Sequence, residues 1–331
     1  MAKKKSRVFE LFELFQSRPN FLILIHPDPD SIASALALKR LISRKAEKVV
    51  IAYDEASKRL QNQAMIRLLK IPMVNINKVR IEDFGLLGIV DGQWNHFPSL
   101  LNYQVDICID HHPISVEHPY QFADIRPELG ANSTILTEYL KEAKIPPSKR
   151  LATALSYGIK TDTSDFTRNI HSQDALAFSW LFPKVDYHLL KSIDQVEMSF
   201  RELEYFRLAL DMLEKKRKTG YVHLGAVPSS DLLVMVADFL IRVRELEMVV
   251  VSGFEPEKLI IIFRNRNPRL DLGRLVKRGF EPPGIAGGHK YSARAEISLS
   301  ALANLSRTLE HSPANEINRW IEKMLKNASK S

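Results

Sequence analysis

Residues 105–112 read Val-Asp-Ile-Cys-Ile-Asp-His-His, an apolar run that ends on one acid and two imidazoles, Asp110, His111 and His112. Three ionisable side chains in a row are costly to desolvate unless something pairs with them. A divalent metal ion and an anionic substrate would do so. The pattern recurs along the chain. Phe-Leu-Ile-Leu-Ile (21–25) runs into His26-Pro27-Asp28-Pro29-Asp30-Ser31, and Leu-Leu-Gly-Ile-Val (86–90) into Asp91-Gly92. Leu-Ser-Tyr-Gly-Ile-Lys-Thr (155–161) leads into Asp162-Thr163-Ser164-Asp165. Any one of these acids is explained as a helix cap or turn former, and Ser164 and Asp165 fit that role. The whole set, at four expected strand ends, is not, because uncompensated acids gathered there would repel. Carboxylates with a minority of His suit hard-to-borderline divalent ions such as Mn²⁺, Mg²⁺ or Co²⁺. No thiolate accompanies them, so a structural zinc site is not expected.

The elements that must position these groups alternate. Short apolar strands near 21–25, 49–53, 86–91 and 105–110 are interleaved with helical patterns near 31–44, 57–70, 131–143 and 148–159. That rhythm predicts an α/β fold with a doubly wound, mostly parallel sheet, whose strands are buried on both faces. Ligands of such sheets sit at the carboxyl ends of the strands. Residues 170–192 look helical with breaks. From 193 to 219 the pattern is long, amphipathic and charged, and ends in Lys215-Lys216-Arg217-Lys218 before Gly220; it predicts a linker helix with a glycine stop. Strand and helix patterns resume from 220 and close with a Gly-Pro-rich loop at 280–289, a strand and a helix. The expected organisation is therefore a metal-binding domain at 1–192, a linker helix at 193–219 and a smaller α/β domain at 220–331.

The chain has 331 residues, 45% of them hydrophobic and 26% charged. It is long enough for two domains with their own cores. No apolar run approaches the ~18 residues of a membrane span, and the N-terminus does not read as a signal peptide. The single cysteine, Cys108, lies within an expected strand and reads as a packed, inert thiol. A reducing cytoplasm is the expected location. Net charge is +8, which is compatible with an anionic substrate. Between Lys258 and Arg294 there are nine Lys or Arg and two acids. One half thus looks built to hold cations and the other to hold anions. Arg264 and Arg266, just before the glycine loop, are candidates for binding phosphate or a terminal nucleotide. His96, His118, His171, His188 and His223 lack such context and are expected at the surface or as caps.

The set His26-Pro27-Asp28-Pro29-Asp30, Val90-Asp91, Asp110-His111-His112 and Thr161-Asp162-Thr163 resembles, in order and spacing, the motifs of the DHH phosphoesterases. Gly287-Gly288-His289-Lys290 resembles the glycine-rich signature of the DHH-associated C-terminal domain, with Ala286 where members often carry a further glycine. The compact form is similar to the oligoribonuclease (NrnA-like) and small-phosphodiesterase branch. The resemblance implies two Mn²⁺ ions bridged by Asp91. Asp30, His111 and Asp162 would complete one metal site, and Asp28 would belong to the other. Asp110 would orient an imidazole, and His112 would contact the scissile phosphate. There is one departure: Leu24 stands where members of this branch place a His. His26, two residues further on, would serve as a ligand or as a polar cap on the strand end. The implied substrate-binding residues are His112, Arg264, Arg266, Gly287, Gly288 and His289.

These observations point to hydrolysis of short single-stranded RNA or small nucleotide phosphoesters by a two-metal mechanism. Hydrolysis of adenosine bisphosphate or of cyclic dinucleotides is the alternative within the same chemistry. RecJ-like action on long strands fits less well, because no extra domains for gripping a strand are visible. A nucleotide-binding regulator without turnover is the alternative of another class, invited only by Leu24. No membrane partner is expected, and a homodimer is compatible with the sequence.

Overall fold

The structure is a computed structural model, and it describes residues 6–57, 59–114, 117–194, 200–305 and 314–329. It divides into two compact units, Met1–Val196 and Glu197–Ser331. No helix among the described residues is long and apolar enough to cross a membrane.

Unit 1 begins with α1 (Arg7–Glu13), followed by β1 (Phe21–Ile25), α2 (Pro29–Ile42), β2 (Val49–Tyr53), α3 (Leu60–Leu68), β3 (Met73–Asn75), β4 (Leu86–Val90), β5 (Ile107–Asp110) and β6 (Phe122–Ile125). Helices α4 (Asn132–Glu142), α5 (Lys149–Asp162), α6 (Ser172–Leu181) and α7 (Tyr187–Asp194) complete it. The six strands are parallel, in the order β3-β2-β1-β4-β5-β6. The order reverses between β1 and β4, and a crevice opens at such a reversal beyond the strands' carboxyl ends. The residues after β1 and β4 are those of the His26–Asp30 segment and Asp91. Both strands are buried throughout, as their uninterrupted apolar runs require.

Two glycines set the spacing. A Cβ on Gly88 would meet the Phe21 ring of the neighbouring strand at 2.5 Å. A Cβ on Gly158, in α5, would meet Ser133 Oγ at 2.5 Å and Asp30 Oδ1 at 3.0 Å. Gly158 thus lets α5 lie against the first turns of α2 and α4. The segment leading to Asp162 is this helix and not a strand, which corrects one of the four expected strand ends.

In unit 2, α8 (Phe200–Asp211) precedes β7 (Glu214–Lys216), β8 (Thr219–Ala226), α9 (Ser230–Leu240), β9 (Met248–Glu255), β10 (Lys258–Asn265), α10 (Leu272–Phe280), β11 (Ile285–Gly288), β12 (Ser292–Ser298), α11 (Leu299–Leu305) and α12 (Ala314–Ala328). The sheet order is β11-β12-β10-β9-β8-β7, with only β8 and β9 parallel. Apolar clusters line both faces. One gathers on α9, including Leu233, Ile260 and Ile262, and the other on α10 and α12, including Ile261, Phe263 and Phe280.

The expected linker helix over 193–219 does not form as one element. Helix α7 ends at Asp194, residues 195–199 lie outside the described set, and α8 ends at Asp211. The basic run is instead a hairpin: Lys215 pairs with Gly220 and Lys216 with Thr219. Arg217, at φ 55°, makes the turn. Partners from far along the chain hold this strand, with Lys216 Nζ 2.8 Å from Glu322 and Asn318 donating to Glu214. His223, expected at the surface, is buried in β8 with Nδ1 2.9 Å from Ser252 Oγ.

Two outcomes are expected. An exposed helical Gly→Ala change stabilises by up to ~1 kcal/mol, but Gly158→Ala should destabilise unit 1 by roughly 1–3 kcal/mol through overpacking against Asp30 and Ser133. Denaturant melts that show a gain would refute that contact. Burial depresses His223 to about 4 from 6.5. The unfolded chain therefore takes up a proton between those values and the folded chain does not, so unit 2 loses stability as pH falls through that window. The full effect is about 3 kcal/mol. Hydrogen exchange of β8 at pH 5 and 7.5 should show the loss, and His223→Gln should remove most of it.

Candidate metal centre

The turn after β1 is tied before any metal enters. Asp28 caps α2, its Oδ1 accepting from the Ser31 amide at 2.8 Å, while Ser31 Oγ donates to the His26 carbonyl at 2.5 Å. Pro29 supplies the fixed φ suited to the first helical position. Asp30 follows and is wholly buried. Its Oδ2 accepts from the Asn132 amide at 2.6 Å and its Oδ1 from the Ser133 amide at 2.8 Å. These are first-turn amides of α4, where a carboxylate is favoured by unpaired N–H groups and the helix dipole.

Asp91 leaves β4 in the left-handed region, at φ 59°. That conformation is rare outside glycine and costly where the surroundings do not hold it. The Asp91 amide continues the sheet by donating to the Ile109 carbonyl at 3.0 Å. Asp162 is the last residue of α5.

These groups meet at His111. Its Nε2 lies 3.1 Å from Asp162 Oδ2, 3.2 Å from Asp91 Oδ1 and 3.9 Å from Asp30 Oδ2. Its Nδ1 lies 3.1 Å from the Leu129 carbonyl. A carbonyl only accepts, so this contact keeps a proton on Nδ1 and leaves Nε2 as the nitrogen that faces three carboxylates. Asp91 Oδ1 and His111 Nε2 are buried without a hydrogen-bond partner.

The electrostatics follow from the crowding. Burial, then the charge of Asp162, pushes Asp30 up to about 7. Burial, then Asp28 and Asp30, raises Asp91 well above the usual carboxylate range. Asp28 is raised by burial and by Asp162. Burial works against a charged His111, but Asp162 and Asp91 outweigh it and carry its pKa up to about 12. The point where these atoms converge demands a cation.

Ligand atoms of Asp30, Asp91, His111 and Asp162 lie within 4.8 Å of one another, and so do those of Asp91, His111 and His112. Asp91 and His111 belong to both groups. An oxygen-rich set with imidazole, and with two orphaned ligand atoms at its centre, fits a hard-to-borderline divalent ion. Cys108 supplies no ligand; it is buried, its Sγ contacts the Gly92 carbonyl at 3.5 Å, and burial pushes its thiol up to about 12.

His112 is arranged differently from its neighbour. Its Nδ1 lies 2.9 Å from Asp110 Oδ1, and the hydrogen bond it donates to Asp110 raises its pKa against burial. Asp110 is buried, yet hydrogen bonds from His112 and Gln93 hold it below the usual carboxylate range. Gln93 Nε2 donates to Asp110 Oδ2 at 2.8 Å. His26 stands outside both ligand groups. Its ring stacks on Phe97 at 4.2 Å, and its Nε2 lies 2.9 Å from the His96 carbonyl.

In unit 2, Arg264 Nε is 2.6 Å from Asp238 Oδ1, so its guanidinium is already engaged. Arg266 NH2 donates to the Arg244 carbonyl at 3.3 Å. Gly287 and Gly288 lie in β11, and His289 is exposed at the turn into β12.

Sequence reasoning overlooked Gln93, Gly158, the Leu129 carbonyl and the two α4 amides. Gly158 gave a signal, as a lone glycine within a helical pattern. Backbone groups give none.

Comparison with known proteins places this geometry. The DHH family, N-terminal domain, matches residues 20–159. An uncharacterized protein of Methanocaldococcus jannaschii is 33% identical over 307 residues, covering 92% of this chain and 63% of that protein. The chain thus spans under two thirds of that relative's length. An exopolyphosphatase-related protein from Bacteroides fragilis shares the fold at a TM-score of 0.76 and 16% identity, over 98% of this chain and 96% of that one. Exonuclease RecJ bound to manganese superposes at a TM-score of 0.50 and 13% identity, over 93% and 94% of the two chains. Residues 20–159, which carry His26, Asp28, Asp30, Asp91 and the Asp110-His111-His112 run, are thus similar to the N-terminal domain of the DHH family.

Proposed function

We propose that this protein is a metal-dependent phosphoesterase that hydrolyses short single-stranded RNA or small nucleotide phosphoesters at the His111 cluster. The observation that carries the reading is the unpartnered His111 Nε2 facing three carboxylates. The similarity of residues 20–159 to the DHH family's N-terminal domain supports the reaction class, and the manganese bound by RecJ makes Mn²⁺ the first metal to test. Asp30, Asp91, His111 and Asp162 would hold one ion. Asp91, common to both ligand groups, would be shared with a second, to which Asp28 contributes. The chemistry supplied at such a site would be acidification of a water and neutralisation of charge on the reacting phosphate.

The chain's own residues do the rest. The Leu129 carbonyl fixes the His111 tautomer, and the α4 amides fix the Asp30 carboxylate. His112, whose pKa the hydrogen bond to Asp110 raises, would offer a charge-assisted hydrogen bond to a phosphate oxygen. No side-chain nucleophile is required. The basic stretch from Lys258 to Arg294, with Gly287, Gly288 and His289, would bind the remainder of the substrate. Among the described residues Arg266 and His289 have no carboxylate partner, whereas Arg264 is paired with Asp238.

Activity should vanish in EDTA and return with Mn²⁺. Asp91→Asn should cost about 10³-fold in rate, since loss of metal charge stabilisation is worth several kcal/mol. Near-wild-type turnover by Asp91→Asn would sink the reading. His26→Ala should be milder than His111→Ala, and a metal count that falls in the first variant but not in the second would reverse the ligand assignment.

Binding energy from a distant anchor helps to position the scissile phosphate. His289→Ala and Arg266→Ala should therefore lower kcat/KM on a dinucleotide more than on bis-p-nitrophenyl phosphate, with metal content unchanged. Equal losses on both substrates, or a preference for long RNA over two- to five-residue RNA, would overturn the anchoring role. Adenosine bisphosphate and a cyclic dinucleotide belong in the same assay to rank substrates.

A further inference from the structure

We infer that unit 1 carries a second anion site, at the far end of α2 and α4 from the metal centre, that takes a nucleoside di- or triphosphate. A concavity of about 540 Å³ is lined by the C-terminal ends of these two helices and by Phe12 of α1. Its wall includes Arg40, Arg44, Lys45 and Lys144, and no Asp or Glu lines it. Asp30 lies in the first turn of α2, a helix of 14 residues. At ~1.5 Å per residue the two sites are about 20 Å apart.

Cations gather at helix C-termini for a simple reason, because the last carbonyls there lack partners. Here the backbone meets much of that demand. Amides of Ala143, Lys144 and Ile145 return to the carbonyls of Tyr139, Lys141 and Leu140. Amides of Lys45 and Ala46 return to Ile42, and the Ser43 hydroxyl donates to the Arg40 carbonyl at 3.0 Å. Among the described residues, none of the four cations forms an ion pair with a carboxylate. Lys45 rests on the Phe12 ring at 4.2 Å. Arg40, Arg44 and Lys144 are exposed.

Four unneutralised cations around one concavity repel one another, and an anion relieves that repulsion. Guanidinium forks and ammonium groups are the side chains suited to phosphate. Size and lining choose among phosphates. The volume lies in the range of small-molecule sites, ~300–1,000 Å³. The charge exceeds what one inorganic phosphate balances. Phe12, Ile145 and Pro146 add apolar surface for a base and sugar. The inference does not depend on the proposed hydrolysis.

The test is calorimetric titration of ADP into the full-length protein in EDTA at about 0.15 M salt, where the Debye length is about 8 Å. Wild type should bind, Arg44→Glu should weaken binding at least ~10-fold, and the double variant Arg40→Ala/Lys144→Gly should do the same. Arg67→Glu, at an exposed cation on α3, controls for net charge and should stay within about twofold of wild type, since exposed charges beyond a Debye length are largely screened. Circular dichroism melts establish that each variant folds. Unchanged ADP affinity in both site variants, equal weakening in Arg67→Glu, or no heat at millimolar ADP would overturn the site. Pyrophosphate binding as tightly as ADP would overturn its assignment to a nucleotide.

Discussion

Three carboxylates brought to one buried point around a single imidazole nitrogen set the terms for the rest of unit 1. Asp30, Asp91 and Asp162 repel one another, and burial adds the cost of desolvation. Left to relax, they would separate or take up protons. They stay together because each is fixed by a different rigid element. Asp30 is gripped by two amides of α4, Asp91 is held at the end of β4, and Asp162 ends a helix that Gly158 lets approach. The scaffold holds a concentration of negative charge that only a cation neutralises.

Two adjacent residues of the same type have different Nδ1 partners here. His111 gives its Nδ1 proton to a neutral carbonyl and turns Nε2 to the carboxylates, which hold a proton there that a metal would have to replace. His112 gives its Nδ1 proton to a carboxylate, which favours a second proton and a positive ring. The difference comes from the partner of one nitrogen and not from the ring. Gln93 belongs to this division, because its bond to Asp110 holds the carboxylate in place beneath His112.

The sequence foretold much of unit 1, and the reasons for its failures are specific. Strands β1, β2, β4 and β5 announced themselves as apolar runs. Strands β3 and β6 are short sheet edges, and Phe122–Ile125 alternates buried with more exposed residues. Asp162 was found at the end of the helix expected near 148–159, and only its reading as a strand end failed, since a run such as Leu-Ser-Tyr-Gly-Ile-Lys does not separate the two periods. The hairpin at Glu214–Thr219 was missed because its charges satisfy Glu322 and Asn318, about a hundred positions away. Local pattern contains no trace of such partners. His223 was misplaced for a related reason, because nothing near it in sequence reveals Ser252 beneath it. For the site, side-chain chemistry was visible and backbone chemistry was not.

The bonds from Asp30 to amides 102 and 103 residues downstream bear on how the protein is made. Parallel strands have no hairpin shortcut, and folds dominated by such distant contacts form slowly. At ribosomal rates of about 5–20 residues per second, Asp162 emerges on the order of ten seconds after Asp30. During that interval the early acids lack both the amides and the imidazole that gather them, and water solvates each one separately. The centre thus comes into being only when α4 and α5 close over the sheet.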